Sequence, residues 1–313
     1  MKTIFAAVLL TSTVAYAGDL PEVSSATLIA NFTTDDPTTM ELGASNEVLV
    51  WRAANNAALV LTAEGSPASN ITFDATELGR HGSLVVNDFS GDNRSLRGSL
   101  GGLSLTNATI FWVGYFEPGR DGSLGDGSGQ YIYTFGKAVS AGSQFDAQID
   151  DGRFEIFGGS GTQTGRDITY LNGHYSTWMT RFHAAPTSVG HEAEANGFDM
   201  LVPADGSGYS AGGNSSGDDD LLLFAWQNSS GDSGGYNFVG NLHQVLIYDG
   251  LLDTLLNANI DQALKDALPG LLDSLADLEP GPDGACTKLS ATLDFEATSA
   301  WFYDDAAALD EAE

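Results

Sequence analysis

Tyr236-Asn237-Phe238-Val239-Gly240-Asn241-Leu242-His243-Gln244-Val245-Leu246-Ile247-Tyr248-Asp249 reads as one long strand with a helix behind it. Val245 to Tyr248 is apolar without alternation, which is the pattern of a central strand buried on both faces. Gly240 suits a bend where the strand begins. After Gly250 the period changes. Leu252, Leu255, Leu256, Ile260, Ala263 and Leu264 recur at three and four, with Asp253, Asp261 and Asp266 between them, until Pro269-Gly270 stops the pattern. That spacing predicts an amphipathic helix packed on its leucine face.

Upstream, period-two segments recur at 47–52, 69–73, 82–86, 108–116, 130–135, 144–149, 153–157, 176–184, 197–202 and 221–227. Clusters such as Asp121-Gly122-Ser123 and Gly212-Gly213-Asn214 separate them, and residues of these types tolerate positive φ and cap turns. Within 108–116 the rings of Phe111, Trp112, Tyr115 and Phe116 do not alternate cleanly, so this strand too is expected to be buried on both faces. In 176–184, Trp178, Thr180 and Phe182 are expected on one face, and Met179, Arg181 and His183 on a wetter one. Strands without intervening helices predict antiparallel sheets closed into a sandwich.

Composition agrees. Of 313 residues, 38 are glycine and only 17% are charged, which favours turns over helices, while 42% apolar residues suffice for a core. There are 42 acidic side chains against 12 basic ones, a formal net charge of -30. The basic residues are scattered singly, which excludes nucleic acid as a partner. Residues 1–17 carry one charge at Lys2, an apolar stretch and Ala15-Tyr16-Ala17, the pattern of a secretory signal peptide. The apolar stretch is shorter than the roughly 20 residues of a membrane span, so an extracellular protein with no transmembrane segment is expected. Six Asn-x-Ser/Thr sequons, at Asn31, Asn70, Asn93, Asn107, Asn214 and Asn228, would then be open to glycosylation in a eukaryotic host, or else reflect polar turns. The one cysteine, Cys286, rules out an intramolecular disulfide and leaves an intermolecular one.

The 236–249 pattern with its helix resembles the closing strand and helix of concanavalin A-like, laminin-G-like jelly-roll domains. Thr109 to Phe116 resembles that family's central strand, and the segments on either side of Asp151-Gly152 resemble its next hairpin. Order and spacing agree from about Val23 to Leu268. One departure is Ala225-Trp226, where many relatives have a glycine. The resemblance implies an all-β, concanavalin A-like jelly-roll β-sandwich with a C-terminal helical extension. Its boundaries are 18–268 for the sandwich with its closing helix, and 269–313 for an acidic extension, partly helical over 270–278. The extension carries Trp301-Phe302-Tyr303. The motifs are structural and carry no catalytic residue.

Five patterns carry candidate chemistry. Glucanases of this fold place two carboxylates at alternate positions of one strand, about 5 Å apart across the bond; here Asp146, Gln148 and Asp150 interpose an amide. A lyase needs a base beside a cation, types supplied by Tyr175, Arg181 and His183, which equally describe an ordinary sheet face. Calcium is expected as a cofactor at Asp121 and Asp126 or at Asp218, Asp219 and Asp220, since laminin-G-like modules often hold it with loop carboxylates; the alternative is a solvated acidic loop. His174, His183 and His191 are too widely spaced for a local zinc pair. Glycan binding needs flat rings beside amides or carboxylates, and Tyr170, Tyr175, Trp226 and Tyr236 sit in or beside loops. The resulting expectation is a secreted, non-catalytic recognition or adhesion module for a glycan. The rivals are a structural component of a cell surface or extracellular matrix, and a polysaccharide-degrading enzyme with an unfamiliar site.

Overall fold

The computed structural model describes residues 27–64, 71–78, 81–86, 95–100, 107–117, 130–135, 145–150, 153–158, 161–167, 171, 174–182, 191–200, 220–225, 238–267, 279–280 and 286–287. Strands follow in chain order as β1 Thr27–Thr33, β2 Met40–Leu42, β3 Val48–Ala53, β4 Asn56–Glu64, β5 Ile71–Leu78, β6 His81–Val86, β7 Ser95–Ser99, β8 Ala108–Phe116 and β9 Gln130–Phe135. Next come β10 Phe145–Asp150, β11 Arg153–Gly158, β12 Gly161–Asp167, β13 Tyr175–Phe182, β14 Glu192–Ala195, β15 Phe198–Asp199, β16 Asp220–Leu223 and β17 Gly240–Asp249, then helix α1 Thr254–Ala267. They form two antiparallel sheets. The first has the order β15-β14-β13-β8-β17-β6-β5, with β1 also paired to β17; the second runs β12-β11-β10-β9-β16-β7-β4-β3-β2. The chain is therefore an all-β jelly-roll sandwich carrying one α-helix among the described residues.

The non-alternating strands lie at the centre of the first sheet, as their sequences demand. On β8, Ile110, Trp112 and Phe116 enter the core between the sheets, while Phe111 and Val113 join a second cluster on the outer face. Leu246 and Tyr248 of β17 join them, and α1 closes this cluster with Ile260 and Leu264, aided by Leu252 just before it. Burial alone pushes the Tyr248 hydroxyl up to about 12. In the main core Trp112 and Trp178 stack at 4.9 Å, and the Phe116 ring stands edge-on to both. Such pairs add about 0.5–1.5 kcal/mol each beyond the area they bury.

Strand β13 corrects one expectation. Trp178 and Phe182 face the core as predicted, but the opposite face is not wet at Met179, which packs beneath α1. The helix is pinned there by polar bonds. The Thr177 hydroxyl bonds Asp261, and Lys265 donates to the Asn196 carbonyl at 2.8 Å while pairing with Asp261 at 2.6 Å. Of the segment expected as a strand at 197–202, Phe198–Asp199 form β15, which starts only after Asn196 and Gly197 turn with positive φ; residues 201 and 202 lie outside the described residues.

Near Ala225 the backbone is strained. Phe224, one residue before Ala225, has φ 71, a conformation a bulky side chain adopts at a cost of about 1–2 kcal/mol. Its ring is fully buried and stacks on Phe238 at 5.5 Å, so packing holds it there. β10 and β11 pair antiparallel as far as Asp150 with Arg153, as expected of a hairpin; Asp151 and Gly152 themselves lie outside the described residues.

Candidate functional site

One row crosses the outer face of the first sheet beside the cluster under α1. Tyr175 pairs with Tyr115, Tyr115 with Asn241, Asn241 with Val85, and Val85 with Thr72, so five adjacent strands each contribute a residue. Because Leu84, Val86 and Leu242 point into the core, alternation turns Ser83, Val85 and Asn241 outward. The Tyr115 and Tyr175 rings lie 5.5 Å apart, tilted by 40°. The Tyr175 hydroxyl donates to Ser83 at 3.2 Å, and Asn241 Nδ2 donates to the Tyr175 oxygen at 2.9 Å and to Glu77 Oε1 at 2.8 Å.

Tyr175, Ser83 and Asn241 are buried, Tyr115, Val85 and Thr72 are half-buried, and Glu77 is exposed. The row thus has a fixed floor and a wetter rim. Burial is the main cause that raises the Tyr175 hydroxyl far above its ordinary value, and burial followed by the Glu117 and Glu77 charges raises that of Tyr115. Both therefore remain neutral phenols able to donate. Two flat rings, an amide and a carboxylate on a rigid sheet suit a ligand with hydroxyls and apolar faces.

A second cluster lies where β17 changes partners. Gln244 to Asp249 pair with β1, Gly240 to Leu242 pair with β6, and the register against β8 breaks between Leu242 and Gln244. His243 falls at that break. Asp35 has just left β1 and His81 opens β6, so the same gap receives all three. His81 Nδ1 is 2.8 Å from Asp35 Oδ1, and His243 Nε2 is 3.5 Å from Asp35 Oδ2. Burial pushes the Asp35 carboxyl up, but hydrogen bonds and charge from His243 and then His81, in their protonated forms, outweigh it and hold the group below its ordinary value. Among the described residues this is the group whose side chains lie close enough to hold a metal ion. Sequence spacing could not reveal it, although a histidine inside an otherwise apolar strand was a signal that a buried partner must exist.

Of the residues singled out from sequence, Tyr175 belongs to the row just described, as the first residue of β13. Tyr170, Trp226 and Tyr236 lie outside the described residues, as do Asp121, Asp126, Asp218 and Asp219. Asp220 opens β16 and lies 3.6 Å from Arg97 Nε, which also pairs with Glu64. Asn31 and Asn107 are half-buried, Asn31 accepting from Gln244 at 2.9 Å; the other four sequons lie outside the described residues. So do residues 1–26, with the expected signal peptide, and most of 268–313; Cys286 is described only as backbone paired with Pro280.

Of the lyase types, Tyr175 and Arg181 do not come together, and His183 lies outside the described residues. Tyr175 and Arg181 sit six residues apart on β13, about 20 Å along the strand, and Arg181 is bonded to Glu192. On the second sheet Gln148 faces Glu155 across β10 and β11 and donates to its carboxylate at 2.8 Å, and Asp146 is buried.

No protein-family model and no curated protein matches the sequence. Solved structures with a similar chain path include domain 4 of AbnA, an extracellular arabinanase from Geobacillus stearothermophilus, in complex with arabinotriose. It has 14% identity and a TM-score of 0.43, covering 77% of this chain and 100% of that one. The CBM40 of Ruminococcus gnavus IT-sialidase bound to α2,3 sialyllactose has 14% identity and a TM-score of 0.36, covering 51% of this chain and 84% of that one. Trypanosoma rangeli sialidase has 9% identity and a TM-score of 0.46, covering 82% of this chain and 34% of that one. These neighbours are carbohydrate-binding or sialidase-related proteins of low identity.

Proposed function

We propose that the protein is a secreted, non-catalytic recognition module that binds a neutral glycan across the outer row of its first sheet. The observation that carries this reading is the hydrogen-bonded array of Tyr175, Ser83, Asn241 and Glu77 beside the Tyr115 ring. The apolar face of a pyranose stacks on a tyrosine, and its hydroxyls exchange hydrogen bonds with an amide and a carboxylate. Neutral sugars are favoured because a net charge of -30 and the Glu77 carboxylate repel sulfates, uronates and sialic acids. Membership of the laminin-G-like group, calcium in the 121–129 loop or at 218–220, and attachment to a surface through Cys286 belong to the same proposal.

A glycan array probed with the wild type and with Tyr115→Ala, Glu77→Gln and Glu155→Ala tests it. Binding to neutral oligosaccharides, weakened by the first two changes and retained by the third, is expected. Loss with Glu155→Ala alone would move the site to the second sheet. Release of reducing ends or unsaturated products from the same glycans would make the protein an enzyme.

A further inference from the structure

We propose that Asp35, His81 and His243 bind a first-row divalent cation of the zinc class. The tautomer of His243 carries the argument. Its Nδ1 lies 2.8 Å from the Gly82 carbonyl and 2.8 Å from the Thr34 hydroxyl oxygen. A carbonyl only accepts, so Nδ1 must carry the hydrogen. The Thr34 hydroxyl directs its own hydrogen to the Gly82 carbonyl at 2.6 Å or the His243 carbonyl at 3.0 Å, and its lone pairs remain to accept from Nδ1. In the neutral ring Nε2 is then a lone pair, and it faces Asp35 Oδ2 at 3.5 Å with only 1% of the side chain exposed.

A lone pair held against a carboxylate in a buried site is repulsive unless a positive charge stands between them. The choice is a second proton or a cation. His81 turns the balance, because a second imidazole is fixed on the same carboxylate and one atom from each residue lies within 4.8 Å of the others. Zinc binds imidazole nitrogen and carboxylate oxygen at about 2.0–2.2 Å, so tetrahedral ligands stand about 3.4 Å apart. The Oδ2 to Nε2 spacing already matches, and a small rotation of the Asp35 carboxylate opens the shorter contact to His81.

The surroundings are those of a metal-bound histidine. Gly82 and Thr34 fix its orientation through the far nitrogen, as partners of ligating histidines do. Glycine is required at 82, since a Cβ there would meet the Phe73 ring at 2.3 Å. Asp35, at 14% exposure, gives the approach from solvent. Two nitrogens and one oxygen suit zinc, cobalt or nickel; calcium and magnesium take oxygen ligands. This site is separate from the loops where calcium is expected and does not depend on glycan binding.

The test uses tag-free full-length chain stripped with a chelator. Calorimetric titration with Zn²⁺ should show one equivalent bound and a raised thermal midpoint, with no such response to Ca²⁺. Asp35→Asn and His81→Asn, each keeping a polar atom near the original position, should weaken zinc binding at least about tenfold with unchanged far-ultraviolet dichroism. If either variant fails to fold, Co²⁺ added to the wild type decides: an intense visible band of low-coordinate cobalt with nitrogen ligands supports the site. Absence of saturable zinc binding by the folded chain overturns it and leaves the three side chains as a hydrogen-bonded structural cluster. Equal affinity in wild type and variants, or a cobalt spectrum of all-oxygen type, overturns it in favour of exposed carboxylates.

Discussion

The Tyr115 carbonyl oxygen lies 2.0 Å from where a Cβ on Gly240 would stand. Gly240 has φ 152 and begins β17 between two partners, so the glycine lets the chain enter the centre of the sheet against β8. The obstruction is backbone and cannot swing aside. Gly240→Ala should therefore cost about 3 kcal/mol or more, beyond the usual range for overpacking. Urea midpoints measure it, and a loss under about 1 kcal/mol would mean the two strands separate easily.

Glu194 supplies a pH dependence. Burial first, then the charges of Asp261, Glu192 and Asp199, raise its carboxyl to about 7, with Arg181 opposing. The folded chain thus keeps a proton that the unfolded chain releases near pH 4.3. Stability therefore falls as pH rises between those values, and the loss is complete above about 7. Glu194→Gln should gain stability over the wild type at about pH 8 and little at about pH 4. An advantage that stays constant across urea titrations at both values contradicts the assignment.

Net charge predicts a response to salt. With 42 acidic and 12 basic side chains the folded chain repels itself. Thermal midpoints should rise from low to roughly physiological ionic strength as screening sets in. A flat profile would show that the carboxylates lie too far apart for this to matter.

The extension should be dispensable for folding. Glu279–Pro280 pairs with Cys286–Thr287 in a small sheet of its own, and neither segment joins the sandwich. A chain ending after Gly281 should melt within a few degrees of the full length. Non-reducing gels should show a linked species that Cys286→Ser removes; monomer alone in both samples leaves the tail as a passive acidic extension.

Legibility in the sequence followed burial. β8 and β9 match the predicted 108–116 and 130–135 at both ends, because runs of large apolar and aromatic residues bounded by polar turns leave little choice of boundary. β12, Gly161-Thr162-Gln163-Thr164-Gly165-Arg166-Asp167, was invisible: it is the end strand of its sheet and has no apolar residue to alternate. β1 and β4 also escaped, though Ala30 and Phe32, and Leu59 and Leu61, do alternate into the core. For the site, Tyr175 was found by residue type, but Asn241, Ser83 and Glu77 come together only through sheet order. His81 and His243 were hidden for the same reason, since a strand shared between β1 and β6 creates their meeting point.

A neutral glycan bound across Tyr115, Tyr175, Asn241 and Glu77 would perturb the backbone amides of that row. Backbone amide shifts of labelled protein, recorded while the best neutral oligosaccharide from the array is added, test it most directly. Saturable changes concentrated at Glu77, Ser83, Val85, Tyr115, Tyr175 and Asn241, with β10 and β11 unmoved, are expected. Changes centred on Asp146, Gln148 and Glu155, with the Tyr115 row silent, would contradict it.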